Sequence, residues 1–340
     1  MIFLNCLEQL QEAYPIIKKN PIKKILMTNE PIDDTLHVIC VIFNPCQYRK
    51  KNQLAKEFQM RMAMEEEEPQ VCLYIVEMVY GDSPFKITQP NNPRHYQIRL
   101  QEQEPQLWLK ESMINVAVRK LLHPEWKAMA WIDADLEFEN LFWATECLQL
   151  LNGGYDVVQL FSHCVDMDWD ERAMEIHTSL GYQTVKGLIS EKGVNFGHPG
   201  FAWACSRRAY EQMGGLYEYA ILGSGDNIMA SSFIQSSAVP ISMASHPEYL
   251  QSVAEFKRRV RGFRLGYVPG VIRHYYHGSK ANRSYVERWK ILVRGGYNPL
   301  KHVWSDDEKG GVLRATVEFP IAMSEEIRDY FRSRKEDETG

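Results

Sequence analysis

The sequence predicts an α/β fold with a mostly parallel central sheet flanked by helices. Three observations carry that expectation. Leu36–Phe43 is a continuous apolar, β-branched run ended by Asn44-Pro45, the pattern of a strand buried on both faces. A second run of this kind, Val71–Val79, follows a helical stretch. A third, Met129–Ile132, follows another helical stretch. Alternation of strand and helix builds parallel sheets, and such sheets bind ligands beyond the carboxyl ends of their strands.

The elements follow in order. Leu4, Leu7, Leu10, Tyr14 and Ile17 recur at helical spacing and predict an accessory helix over residues 4–19, within an N-terminal segment 1–35. Tyr48–Met64 predicts a helix, closed by the acidic run Glu65–Pro69. Gly81-Asp82 ends the second strand, residues 81–95 form a polar loop, and His95–Leu100 is a third strand. Trp108–Leu122 predicts a helix with Leu109, Met113, Val116 and Leu121 on one side. Phe142–Leu151 predicts a helix stopped by Gly153-Gly154, and Asp156–Phe161 a strand. Asp166–Asp170 resembles half a calcium loop. Glu171 stands where glycine is needed and His177 where the closing glutamate belongs, so the stretch is expected to be a surface loop. Residues 177–196 are expected to be irregular. The turn Gly197–Gly200 leads to a short strand and a helix that Gly214-Gly215 ends. Leu250–Gly262 predicts a basic helix, Gly266–Arg273 a strand and Tyr285–Arg294 a helix. Residues 297–323 are short extended pieces, Ser324–Arg334 is a final helix, and the tail Lys335–Gly340 is expected to be disordered.

Composition narrows the function. The chain has 340 residues, 45% of them hydrophobic, enough for a sizeable core. A net charge of -5 without a basic block argues against nucleic acid as a partner. Seven cysteines without a Cys-x-x-Cys argue for reduced thiols, a cytoplasmic setting and no structural zinc. No apolar run reaches the roughly 18 residues of a membrane span, so a membrane contact would be peripheral.

Two stretches carry chemistry. Asp133 and Asp135, two apart at the end of a buried strand, point to one face of an extended chain. Their repulsion is offset by a hard divalent ion, Mg²⁺ or Mn²⁺, which commonly also holds phosphates. The competing reading is a solvated acidic turn. His274-Tyr-Tyr-His277-Gly278, followed by Lys280, Arg283 and Arg288, suits a metal and phosphate oxygens. Its competing reading is a surface basic loop with one packed histidine. Asp226, after Gly223-Ser-Gly225, is placed either to cap a helix or to face a ligand.

The order of these motifs resembles the GT-A glycosyltransferases over residues 36–300. It runs through the buried strand, Trp108-x-Lys110-Glu111 with Asn115, Asp133-x-Asp135, Gly200-x-x-Trp203, Gly214-Gly215, Asp226 and His277-Gly278. The branch it is most similar to has a galactosyltransferase-type C-terminal half. The resemblance implies a Rossmann-like sheet with a C-terminal acceptor and metal-loop region. Residues 36–140 would be the nucleotide-sugar half, 141–300 the acceptor half and 301–340 an extension. It implies a transferase that takes a nucleotide sugar, by preference a UDP-sugar, with Mn²⁺ or Mg²⁺, and hands the sugar to a glycan or glycoconjugate. Asp135 and His277 would bind the metal, and Asp133 would support it or contact the ribose. Asp226 takes the place of the catalytic acid, in Gly-Asp-Asn where the family has Glu-Asp. As base in a direct displacement it would invert the anomeric centre. Phe43, Asn44, Arg49 and Glu77, at strand ends, are expected against the base and ribose, with Lys110, Lys280 and Arg283 near the phosphates. Gly200, Trp203 and Asp226 would form the acceptor wall, although Trp203 also suits a core. Two other readings stand beside this one. A nucleotidyl- or phosphotransferase fits the metal, though there is no Walker Gly-x-x-x-x-Gly-Lys. A non-catalytic sugar-binding module would not need Asp133, Asp135, Asp226 and His277.

Overall fold

The computed structural model describes residues 20–65, 71–188, 197–236, 241–284, 287–305 and 311–338. The helix expected over residues 4–19 lies outside the described residues. A short helix, α1 (Pro21–Thr28), begins where the Asn20 side chain accepts from the Lys23 amide and proline takes the first helical position. β1 (Leu36–Phe43) follows, then α2 (Arg49–Glu65), β2 (Val71–Tyr80), β3 (His95–Leu100), α3 (Lys110–Lys120) and β4 (Ala128–Ile132). The central part holds β5 (Leu136–Phe138), α4 (Trp143–Asn152), β6 (Val157–Gln159), β7 (His163–Met167), β8 (Ala173–Thr178) and α5 (Leu180–Val185). Next come β9 (Ala202–Ser206), α6 (Arg207–Met213), α7 (Gly225–Phe233), α8 (Pro247–Arg259), β10 (Leu265–Tyr267) and β11 (Val271–His274). The chain closes with α9 (Trp289–Arg294), α10 (Pro299–His302), β12 (Val303–Ser305), β13 (Leu313–Ala315) and α11 (Ile321–Ser333).

Seven strands form the central sheet, in the order β10-β6-β9-β4-β1-β2-β3. β1 pairs in parallel with both β2 and β4, and β2 with β3, while β9 runs antiparallel to β4 and β6. The α/β expectation of a mostly parallel, helix-flanked sheet therefore holds. Alternate residues of β1 enter opposite cores. Val38, Cys40 and Ile42 join Phe58 of α2 and Leu148 of α4, whereas Ile39 and Phe43 join Met113 of α3 and Ile228 of α7. Burial on both faces is why β1 is apolar throughout. The second core also takes Leu313, Ile327 and Phe331, so the segment after residue 300 packs into the same body.

A second sheet, in the order β5-β11-β7-β8, stands beyond the end of β4. It corrects three local expectations. The single strand over Gly266–Arg273 is instead two, β10 and β11, in different sheets. Pro269 between them has no amide to donate to a ladder. The expected surface loop at Asp166–Asp170 is a β-hairpin turn, with Asp166 inside β7 and only 2% exposed. Asp168 holds that turn by accepting from the Asp170 and Arg172 amides. The expected irregular stretch includes α5, which starts where Ser179 accepts from the Tyr182 amide. Among the described residues no helix is long and apolar enough to cross a membrane.

Candidate active site

The register of the second sheet decides which side chains meet. His274, the last residue of β11, lies opposite Leu136 of β5 and opposite Asp166 of β7. Asp166 in turn lies opposite Glu175 of β8. Asp135, one residue before β5, and His277, three after β11, come to the same end. The Tyr275 amide donates to the Asp135 carbonyl at 2.9 Å and fixes that approach.

His277 Nε2 lies 2.8 Å from Asp135 Oδ2, and His274 Nε2 lies 3.6 Å from the same oxygen. The opposite ring nitrogen of His274 is 2.8 Å from Asp166 Oδ1. The ligand atoms of Asp135, His274 and His277 all lie within 4.8 Å of one another. Asp135 Oδ1 is buried and has no hydrogen-bond partner. Such an oxygen is costly unless a cation satisfies it. One carboxylate and two imidazoles suit a first-row divalent ion such as Mn²⁺, so the residues fit the expected metal. Burial opposes the charge on Asp135, but His274 and His277 outweigh it and hold the carboxyl well below the usual range. Burial would likewise lower His274, yet Asp135 and Asp166 push it up to about 9.

Asp133 lines the same cavity but takes a different partner. It forms an ion pair with Lys110 of α3, so His274 rather than Asp133 completes the cluster with Asp135 and His277. The sequence carries His274 next to His277, but only the strand register shows that both face Asp135.

These groups line one cavity of about 540 Å³, together with Phe43, Trp108, Lys51, Lys110, Asp133 and Asp226. Lys280, Arg283, Arg288 and Arg334 add positive charge to the same wall. Lys280 pairs with Asp166 and with Glu175, and Arg283 Nη2 lies 2.8 Å from His277 Nε2. Phe43, Trp108 and Phe331 pack at centroid distances of 5.4–6.3 Å, at the carboxyl end of β1. A larger cavity of about 1000 Å³ adjoins, and His177, His198, Pro199, Asn227 and Trp289 line both. His198 stacks on Phe201 at 3.9 Å, and burial lowers its pKa to about 4.

Asp226 is not the cap of α7. Ser224 takes that position, and Asp226 Oδ1 accepts from the Asn227 amide inside the first turn. Gly200 makes room for it: a Cβ there would stand 2.6 Å from Asp226 Oδ2. Five expected contacts lie off the cavity, Gly200 among them. Trp203 is 2% exposed, stacks on Trp131 at 6.5 Å and donates to the Pro199 carbonyl, so it belongs to the core and not to an acceptor wall. Glu77 accepts from the Lys86, Ile87 and Thr88 amides and fastens that loop. Asn44 bridges Tyr48 and Asn52. Arg49 leaves its side chain 93% exposed.

Of the tail expected to be disordered, residues 335–338 are described, and they pack beside Arg334 and His277. Arg334 and Glu336 are 7% and 2% exposed. Glu336 pairs with Arg334 at 2.5 Å and lies 3.4 Å from Lys51 Nζ and 3.7 Å from His277 Nδ1. Burial would raise the Glu336 carboxyl, but Lys51 and Arg334 hold it well below the usual range. Asp337 accepts the first amides of α2, from Arg49 and Lys50, at 3.0 and 2.8 Å. A charged tail stays ordered when its charges are paired, and composition alone hides the pairing.

No family model and no curated protein matches the chain. Among solved structures it is similar to Drosophila β1,4-galactosyltransferase 7, solved as a mutant with manganese, UDP-Gal and xylobiose. The identity is 12% over 68% of this chain and 64% of that one, with a TM-score of 0.35. The catalytic domain of the same enzyme with xylobiose gives the same values. Glucosyl-3-phosphoglycerate synthase of Mycobacterium tuberculosis, solved with Mn²⁺, UDP-glucose and phosphoglyceric acid, is 10% identical. That match covers 87% of this chain and 90% of the other, with a TM-score of 0.36. The chain spans less than two thirds of the galactosyltransferase's length, 64%.

Proposed function

We propose that the chain is a metal-dependent glycosyltransferase of the GT-A type. It moves a sugar from a nucleotide sugar, a UDP-sugar, to a hydroxyl of a glycan or glycoconjugate. One observation carries the reading: the orphaned Asp135 oxygen, flanked by His274 and His277, shares a cavity with a set of cations and with a separate carboxylate, Asp226. Asp135, His274 and His277 would hold the ion. When bound, that ion stabilises negative charge on the leaving diphosphate. Lys110, Arg283 and Arg288 supply hydrogen bonds to phosphate oxygens from the same wall. Phe43 and Trp108, which line the cavity, offer aromatic surface to the base at the carboxyl end of β1, where open sheets take their ligands.

Asp226 stands beside Asn227, which opens onto the larger cavity, so an acceptor entering from that side reaches Asp226. The acceptor hydroxyl gives its proton to Asp226, and its oxygen attacks the anomeric carbon as the bond to the diphosphate breaks. Displacement in one step inverts that centre. A nucleotidyl- or phosphotransferase needs the metal and the cations but leaves Asp226 and the larger cavity without a task. The test incubates purified protein with Mn²⁺ and a panel of nucleotide sugars and follows release of nucleoside diphosphate. Release from one donor is expected. Release of pyrophosphate, or no release from any donor, sinks the reading.

A further inference from the structure

Glu111 is the second residue of α3, only 3% exposed, and lines the same cavity as Asp226. Nothing so far gives it a task. A side chain at position 225 would collide with it. An ideal Cβ on Gly225 would stand 2.4 Å from Glu111 Oε1 and 2.5 Å from its Cδ. Gly225 immediately precedes Asp226. The glycine therefore makes room, beside Asp226, for a carboxyl delivered from another helix. Lys110, the adjacent cation, is already paired with Asp133.

Burial pushes the Glu111 carboxyl up, Lys110 pulls it down and Asp226 pushes it up again, to about 7. At neutral pH much of it is a carboxylic acid. A neutral carboxyl both donates and accepts a hydrogen bond, as a sugar hydroxyl requires. Burying a carboxyl costs stability that a leucine in the same place would not. Its place in the cavity wall is what a ligand contact explains.

We propose that Glu111 is the second carboxyl of the acceptor site: it binds the hydroxyl next to the one that Asp226 deprotonates, so the site selects an acceptor with two adjacent hydroxyls. The inference rests on the glycosyltransferase reading and names its acceptor class, a sugar diol. In the transfer the acceptor O–H bond breaks and its proton passes to Asp226. The oxygen bonds to the anomeric carbon, and the diphosphate leaves with the electron pair of the broken bond. Glu111 keeps its proton throughout and acts by holding the diol.

The test uses Mn²⁺, the nucleotide sugar that the donor panel identifies, and pairs of methyl glycosides. One of each pair keeps the vicinal diol and the other is its monodeoxy counterpart. Glu111→Ala is expected to raise KM for the diol about five- to tenfold and to leave the deoxy compound's KM where it is. Glu111→Gln, which keeps the volume, is expected to fall between. The double variant Glu111→Ala with Gly225→Glu returns a carboxyl to the same space and is expected to recover most of the loss. Equal KM changes for diol and deoxy acceptors, or unchanged KM for both, would overturn the inference while leaving the transferase reading intact. Should wild type release UDP from no donor, both readings fall together.

Discussion

Two clusters of carboxylate and histidine stand side by side in the second sheet, and they have been resolved in opposite ways. In one, Asp135, His274 and His277 converge within 4.8 Å and leave a buried carboxylate oxygen without a partner. In the other, Asp166, Glu175 and His177 converge as closely, but Lys280 reaches in and pairs with both acids. Lys280 neutralises both acids of the second cluster, whereas Asp135 in the first keeps one oxygen without a hydrogen-bond partner. Both clusters bring three ligand atoms within 4.8 Å of one another, so proximity alone does not decide which cluster holds a metal. What decides is whether a basic side chain of the chain itself already neutralises the acids.

The largest expected effect follows from that difference. Asp135→Ala or His277→Ala should abolish Mn²⁺-dependent UDP binding by calorimetry, with the fold intact by circular dichroism. Glu175→Ala, in the second cluster and 54% exposed, should leave it unchanged. Equal losses in all three would erase the distinction between the clusters. Next comes Asp226→Asn, which separates the metal from the base. Asparagine can still accept from the Asn227 amide, so stability and UDP binding should hold. Transfer should fall by about 10²- to 10⁴-fold. Transfer at the wild-type rate would leave Asp226 a purely structural residue.

Asp166 belongs to the second cluster and touches His274 of the first, which makes it the sharpest probe of their coupling. Its Oδ1 faces His274 Nδ1, so it sets which ring nitrogen of His274 turns to Asp135. A carboxylate behind a metal-binding histidine is commonly worth 10–100-fold in affinity. Asp166→Asn should weaken Mn²⁺ binding by about that factor, read by calorimetry or by the spectrum of the free ion. An unchanged affinity would make Asp166 a partner of Lys280 alone. A pH effect should accompany it. His274 has its pKa raised to about 9, so near neutral pH it carries a proton that must leave before it can bind a metal. Mn²⁺ affinity should therefore rise with pH, by up to about tenfold per unit, and level off above about 9. A flat profile would mean that His274 is not a ligand.

Parts of this arrangement are legible in the sequence and parts are not, for a physical reason. β1, β2 and β4 are local apolar runs buried on both faces, so composition alone marks them. Asp135 and His277 stand out as charges at strand and loop ends. The second sheet does not stand out, because its strands are short and pair across long stretches of chain. Asp166 looks like part of an exposed acidic loop until His274, more than a hundred residues later in the chain, lies beside it. Glu336 looks like a solvated tail until Lys51 and Arg334 enclose it. Trp203 fails in the other direction: a tryptophan near a glycine turn suits a sugar platform, but the antiparallel pairing of β9 places it opposite Trp131 in the core.

The smallest expected effect concerns Lys280 itself. If its ammonium is what makes the second cluster a salt-bridge network, removing it should turn that cluster toward a metal. Lys280→Met keeps the stem and deletes the charge. Asp166 and Glu175 would then face each other and His177 with no cation between them. Lys280 now helps hold both carboxyls below their usual range, so both should rise when it is gone. A divalent ion relieves the same repulsion. The gain should be modest, because Glu175 is half in solvent and its side chain must be ordered to bind. Calorimetry with Mn²⁺ alone, without nucleotide, reads the outcome cleanly, since Lys280 also lines the cavity proposed for the donor. Wild type should bind one ion and Lys280→Met a second, weaker one. A stoichiometry of one in both would show that the clusters differ by more than the lysine. The buried, orphaned oxygen of Asp135 would then be the feature that makes a metal site here.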